Sequence, residues 1–296
     1  MGLGEVLALV CALMWASAVV LYKSVGDSLS SSALNLIKNS IALLLLVPTT
    51  LLVEGLTLPS LSVTDWVILV ASGVVGIALA DTFFLQALRM LGAGRTAIVA
   101  SLYSPFVVIL SILYLGERLA VWQWLGFVLV LGGILVVVYQ KHYEEVNRQQ
   151  LIKGVLFAAS SVFFTAASVV VIKPILAHDG FFWMASLRMV AGLVAMLLYF
   201  VVLGQIKQTI DEITQGGHRW RNIIAGSVFG SYLALLFWLA GFKYTDASIA
   251  SVLNETANIF IVIMAWLFLK EPLTIKKGLG VVMTFSGVVV FLGLVF

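Results

Sequence analysis

Residues 113–119 read Leu-Tyr-Leu-Gly-Glu-Arg-Leu and residues 267–273 read Leu-Phe-Leu-Lys-Glu-Pro-Leu, so an apolar run closed by a glutamate returns 154 positions later. Both stretches continue to a glycine, Gly126 and Gly280, that opens a segment rich in small residues. Upstream at the same offset, Gly76 and Ala93 match Gly230 and Ala247. Nearer the N-terminus the offset is 150, where Gly4, Ala8, Val19, Val20 and Lys23 match Gly154, Ala158, Val169, Val170 and Lys173. Lys38 matches Arg188. The chain therefore reads as two related halves. Each holds five long apolar runs, and five is odd, so the second half is expected to enter a bilayer upside down relative to the first. Inverted repeats are an architecture of secondary transporters, with the substrate site near the midplane where the halves meet.

Composition agrees. The 296 residues are 62% hydrophobic and 10% charged, whereas soluble domains carry about a quarter charged residues. A bilayer core about 30 Å thick takes about 20 apolar residues per helix. Ten runs qualify, at about 3–23, 33–53, 66–88, 95–115, 120–140, 153–175, 181–203, 221–243, 247–269 and 275–296. The expected fold is an all-α membrane protein of ten transmembrane helices in two inverted five-helix repeats, residues 1–140 and 153–296, joined by a linker at 141–152. The connections are short, Gly92-Ala93-Gly94 joining the third and fourth runs, and 204–220 carries a short interfacial helix around Ile206–Ile213.

Several functions are disfavoured. The one cysteine, Cys11, rules out an internal disulfide, and the three histidines all fall in connections, so neither a metal site nor a cofactor is expected. No phosphate loop, HExxH or GxSxG occurs, and no basic-aromatic patch suggests nucleic acid. Basic residues concentrate in the connections after the third, fifth, seventh and ninth runs, which places those connections in the cytoplasm and both termini outside.

With Leu102-Tyr103-Ser104-Pro105 before the first quoted stretch, and Trp15 in the first run, the chain resembles the EamA-type transporters of the drug/metabolite transporter superfamily. The resemblance covers essentially the whole chain. It implies ten helices, transport of small molecules and cytoplasmic termini, the last against the charge pattern. One departure stands out: where Pro105 precedes Glu117 by twelve residues, the second half has Ile259 before Glu271, within Leu253-Asn254-Glu255-Thr256-Ala257-Asn258-Ile259.

Ionisable groups inside membrane helices cost roughly 2.5–3.5 kcal/mol at the centre, so each calls for a reason. Glu255 lies about 4–5 Å from the middle of its run at the helical rise of about 1.5 Å per residue. Ser248, Ser251, Glu255 and Asn258 form a polar stripe, with Asn254 adjacent. Either they line a cavity, with Glu255 taking a proton or a substrate amine, or they glue helices together. Asp81 is the second mid-membrane carboxylate, a coupling group or the partner of Lys38 or Arg89. Lys38 and Arg188 either snorkel to the interface or point inward as anchors for a carboxylate or phosphate, a role that the adjacent Asn39 fits. Trp15, Tyr103, Phe84, Tyr232 and Trp238 lie within runs and are candidate cavity walls. Glu117 and Glu271 read as caps, and Lys23 and Lys173 as interface anchors.

The residues point to a non-enzymatic secondary transporter in the cell membrane, an exporter of small metabolites such as amino acids or related amphipathic compounds. It would work by alternating access, coupled to a proton or ion, and a monomer suffices. The alternatives are a passive channel, a flippase for lipid-linked substrates, or an intramembrane lipid-modifying enzyme lacking an evident histidine base. Lys38/Arg188 and Glu117/Glu271 obey the internal symmetry, whereas Asp81 matches Leu235, and Glu255 and Asn258 match Ser101 and Ser104. Recognition is expected on the asymmetric residues.

Overall fold

A computed structural model of the chain describes residues 1–25, 29–138, 148–177, 180–269 and 275–293. Among these residues the chain is helical, with no strand. Six helices are long and apolar enough to cross a membrane: Leu3–Tyr22, Ser31–Glu54, Val63–Leu88, Arg148–Ile172, Phe181–Val202 and Trp220–Tyr244. Shorter apolar helices span Tyr103–Leu115, Val121–Val136 and Gly278–Phe291.

The distribution of side chains is that of a protein dissolved in lipid. Leu44, Leu52, Val128 and Leu156 are 61–87% exposed, while Asn35, Lys38, Arg188 and Glu255 are at most 5% exposed. Polar groups in hydrocarbon must find partners inside the protein, and the helices are arranged to provide them.

The helices in order are α1 (Leu3–Val25), α2 (Ser31–Glu54), α3 (Val63–Gly73), α4 (Asp81–Ala100), α5 (Tyr103–Leu110), α6 (Val121–Val138), α7 (Arg148–Ile172) and α8 (Phe181–Val202). They continue with α9 (Ile206–Thr214), α10 (Trp220–Gly226), α11 (Leu235–Tyr244), α12 (Ala247–Asn254), α13 (Ala257–Leu269) and α14 (Ile275–Phe291). A π-helical segment, Val74–Ala80, joins α3 to α4, and another, Ser227–Ala234, joins α10 to α11. Helical bonding runs through Gly92-Ala93-Gly94 to Ala100, so the connection expected there belongs to α4. α9 occupies the place of the expected interfacial helix. Most of the expected linker lies outside the described residues.

Two pairs of sequence-matched helices pack against each other antiparallel. α6 and α14 meet through glycines: a Cβ at Gly126 would lie 2.7 Å from the Gly287 carbonyl, and one at Gly133 would lie 2.7 Å from the Gly280 carbonyl. Since Gly126 matches Gly280 and Gly133 matches Gly287, the two contacts are counterparts. Small residues let backbones approach closely where no hydrophobic effect drives helices together.

α2 and α8 pair likewise. Thr50 and Ser186 share a hydrogen bond of 2.7 Å at one end, and Asn35 reaches the Met196 sulfur at 3.5 Å at the other. Each helix start is held by a glutamate at or beyond the end of the other helix. Glu54 accepts the Phe182 and Trp183 N–H groups at 3.0 and 2.9 Å, and Glu212 of α9 accepts from the Ser30 N–H and, at 2.8 Å, from its hydroxyl. A carboxylate at a helix N-terminus satisfies orphan N–H groups and complements the dipole.

Glu117 acts in the same way. It accepts the Ala247 and Ser248 N–H groups at 2.7 and 3.0 Å and the Ser248 hydroxyl at 2.7 Å, capping α12. Lys173 is 3.9 Å from Glu117 and donates to the Phe242 carbonyl at 2.9 Å and to that of Thr245. It is thus a structural tie inside the protein rather than an interface anchor. Burial holds its ammonium below the ordinary lysine range, against the pull of Glu117 and Asp246. Burial, reinforced by Glu117, raises the Asp246 carboxyl. Glu271, the counterpart of Glu117, lies outside the described residues, and the side chain of Lys23 is not described.

Candidate functional site

Both halves contain a broken helix. The first breaks at Ser101–Leu102 between α4 and α5, the second at Glu255–Thr256 between α12 and α13. These positions match at the offset of 154. Each break tightens through an i to i−3 bond, Leu102 N–H to Val99 at 3.1 Å and Thr256 N–H to Leu253 at 3.1 Å. Pro105 sits in the first turn of α5, where its missing N–H costs no hydrogen bond. The second half breaks without a proline. There the Thr256 hydroxyl donates to the Leu253 carbonyl at 2.6 Å, a local bond that competes with helix continuation.

The two breaks are joined by Glu255. Its carboxylate accepts the Ser104 backbone N–H of α5 at 3.3 Å and the Asn258 amide at 3.0 Å. Glu255 is 5% exposed, so it is held in the interior by these groups. Among the described residues the neighbouring Asn254 amide has no hydrogen-bond partner. The expected polar stripe is thereby divided. Ser251 donates back to the Ser248 carbonyl of its own helix at 2.9 Å, and Ser248 belongs to the Glu117 cap. Only Glu255, Asn258 and Asn254 remain available to a ligand.

A second cluster forms around Asp81, which the π-helical segment Val74–Ala80 delivers to the start of α4. Lys38 bonds the Asp81 carboxylate at 2.6 Å and Asn39 at 3.3 Å. Asn39 donates to Asn35 at 2.9 Å, and Asn35 donates to the Ile77 carbonyl at 3.2 Å and to Thr82 at 3.3 Å. Irregular helical hydrogen bonding frees carbonyls such as that of Ile77 for side chains, a frequent use of π-bulges at functional sites. The Lys38 side chain is 6% exposed and that of Asp81 33%, so Lys38 does not snorkel and Asp81 reaches accessible space. The side chain of Arg89, the other expected partner, is not described.

Arg188 anchors a third cluster. It is 1% exposed, so it does not snorkel either. One terminal nitrogen donates to Ser168 at 2.8 Å, and the guanidinium carbon lies 5.3 Å above the Trp238 ring. Trp238 in turn donates to the Tyr103 hydroxyl at 3.1 Å. Gly76 makes this possible, since a Cβ there would lie 2.6 Å from the guanidinium and 2.5 Å from the Ser168 hydroxyl. Tyr103 immediately precedes Ser104, so the chain of contacts runs from Arg188 to the Glu255 break. Asp81 lies within electrostatic reach of Arg188, and Glu255 within that of Tyr103. Trp15 is half-buried on α1, and among the described residues no hydrogen bond ties it to these clusters.

Asn35 and Ser168 escaped the sequence reading, and Ser104 entered it only within a motif and as the match of Asn258. The signal for the first two was available: Asn35 and Ser168 match Ala185 and Ala18, polar against apolar at equivalent positions.

The residues from 2 to 139, and again from 152 to 293, match the EamA-like transporter family. The chain belongs to that family. As a member of the EamA-like transporter family it is a multi-pass membrane protein. It is 29% identical to the pseudopaline exporter CntI of Pseudomonas aeruginosa over 222 residues, 72% of each chain. It is 20% identical to an uncharacterized transporter of Methanothermobacter thermautotrophicus over 224 residues, 76% of this chain. That alignment spans 64% of the archaeal protein's length. A crystal structure of a protein 17% identical superposes with a TM-score of 0.80, over 98% of this EamA-like chain and 96% of its own. The fold is shared.

Proposed function

We propose that this EamA-like protein is a secondary carrier exporting small amphipathic metabolites across the cell membrane by alternating access. Its site lies at mid-membrane between two inverted five-helix repeats, residues 1–140 and 153–296, linked by 141–152. The main support is the Glu255–Ser104 contact, in which a carboxylate of one half holds a helix start of the other where both helices are broken. Carriers use such discontinuous helices to present backbone groups to substrates and ions. The reciprocal glycine contacts of α6 and α14, and the family's match to two separate stretches, support the repeat. A relative named as an exporter supports the direction.

Glu255 and Asp81 serve as coupling groups in this account, with Asn254, Asn258 and Asn39 as hydrogen-bonding contacts. Lys38 neutralises Asp81, and Arg188, Tyr103 and Trp15 face the substrate. Proton uptake at Glu255 would release the α5 start, because a neutral carboxyl loses its charge-assisted bond to the Ser104 N–H. One chain carries both halves, so a monomer completes the site.

The test is counterflow in vesicles reconstituted with the purified protein, using radiolabelled amino acids and amphipathic amines and acids as probes. Saturable, trans-stimulated uptake that disappears in a folded Glu255→Gln protein is expected. Unsaturable flux favours a channel, and unchanged counterflow in Glu255→Gln removes Glu255 from the mechanism.

A further inference from the structure

We propose that Arg188 is the substrate's carboxylate-binding subsite, so that this chain recognises amphipathic compounds bearing a carboxylate. The proposal deepens the carrier reading at the same site and rests on it for where the ligand goes, although binding itself can be measured separately.

Lys38 and Arg188 occupy matched positions but have different surroundings. Around Lys38 the chain supplies Asn35 and Asn39 on its own helix and Asp81 opposite, and Lys38 bonds Asn39 at 3.3 Å and Asp81 at 2.6 Å. At the matched positions around Arg188 it supplies Ala185, Met189 and Leu235. The symmetry that gives Lys38 a counter-ion gives Arg188 a leucine. Asp81 is within electrostatic reach of Arg188 but is bonded to Lys38.

Ser168 is the one protein acceptor bonded to Arg188 among the described residues, and Nε and Nη1 have no protein partner although the residue is 1% exposed. A guanidinium carries five N–H donors in a planar fork that matches a carboxylate bidentately. A buried cation short of acceptors is costly, and a carboxylate ligand removes that cost only when present. The guanidinium carbon lies 5.3 Å from the centre of the Trp238 ring, and Gly76 gives the guanidinium room. The same Trp238 and the hydrogen-bonded Tyr103 offer aromatic surface to the apolar part of the ligand.

The experiment measures thermal stabilisation of the purified full-length protein by L-leucine, L-phenylalanine and 3-phenylpropionate, each against its own amide. At least one acid should bind about tenfold or more tightly than its amide, as loss of a charge-assisted bidentate contact implies. Arg188→Gln should abolish the difference and Arg188→Lys should keep part of it. Leu235→Asp places a carboxylate at the position matched to Asp81, one helical turn before Trp238. It should raise the thermal midpoint and weaken acid binding while leaving Arg188 in place.

A wild-type protein that treats every acid like its amide overturns the proposal. So does an Arg188→Gln protein that keeps the wild-type preference, or a folded Leu235→Asp protein that binds acids as wild type does. Acid-selective binding without counterflow refutes the carrier and leaves the subsite standing. Counterflow without acid preference does the reverse.

Discussion

Glu255 and Ser104 meet across the two halves of the chain, carboxylate to backbone N–H at 3.3 Å, at helix breaks 154 positions apart in sequence. Ser101, the residue matched to Glu255, carries no charge, so the contact is made once rather than twice. On the proposed mechanism, a lock with one charged half is released by one proton. Glu255→Gln preserves the shape and should leave the thermal midpoint within a few degrees of wild type. Glu255→Ala removes the acceptor of both the Ser104 N–H and the Asn258 amide. It should cost about 1–3 kcal/mol, the penalty for a buried polar group left without its partner. Thermal unfolding of both variants in one detergent makes the comparison.

The Lys38–Asp81 pair gives a second prediction. Asp81→Asn leaves a buried ammonium without its counter-charge, which in protein interiors costs about 3–5 kcal/mol. The partial exposure of Asp81 places the expected loss at the low end of that range. Replacing both residues, Lys38→Met with Asp81→Leu, should recover much of the stability, and a double-mutant cycle by thermal unfolding measures the coupling. Additive effects would mean that the pair contributes nothing of its own.

Adjacent glycines of α6 should respond differently to the same substitution. Gly133→Ala drives a Cβ into the Thr284 hydroxyl and to 2.7 Å from the Gly280 carbonyl, whereas at Gly132 the nearest atom is the Met283 methyl at 3.6 Å. Gly133→Ala should therefore destabilise by about 1–3 kcal/mol through overpacking. Gly132→Ala should be neutral or slightly stabilising, since alanine is the better helix former by about 1 kcal/mol. Thermal midpoints of the two variants decide the matter, and equal effects would refute the close helix contact.

The fold was legible where symmetry and hydropathy act together. Gly126 and Gly280 stand out in the sequence as a matched pair, and with Gly133 and Gly287 they form the close contact of α6 and α14. The helix breaks were harder to read, because Pro105 drew attention to the first half while the second breaks at Glu255–Thr256 through local hydrogen bonding. The polar stripe misled for a related reason. Helical spacing places Ser251 beside Glu255, but a serine hydroxyl in an apolar helix can satisfy itself on its own backbone, as Ser251 does. Lys173 looked like an interface anchor because its partners, Glu117 and the Phe242 and Thr245 carbonyls, are remote in sequence. What a buried cation pairs with is a tertiary fact.

Lys173 also gives a pH prediction. Its pKa in the folded protein lies below the ordinary lysine value of 10.5, chiefly through burial. Between the folded and unfolded pKa values the unfolded chain binds more protons, so this residue's contribution to stability rises with pH. Below the folded pKa its burial penalty is felt in full. Lys173→Met should flatten that alkaline rise, and Glu117→Gln, which removes a charge favouring the ammonium, should move it to lower pH. Thermal midpoints across the alkaline range check both, and identical profiles in wild type and Lys173→Met would contradict the assignment.

The most direct measurement of the carrier account is side-resolved labelling of a cysteine at position 258 in a Cys11→Ala background. A membrane-impermeant thiol reagent is added to right-side-out or inside-out vesicles, with and without an imposed pH gradient. Alternating access through the Glu255 break predicts labelling from both faces, with the two rates moving in opposite directions when the gradient is applied. No labelling from either face, or rates that rise and fall together, would contradict it.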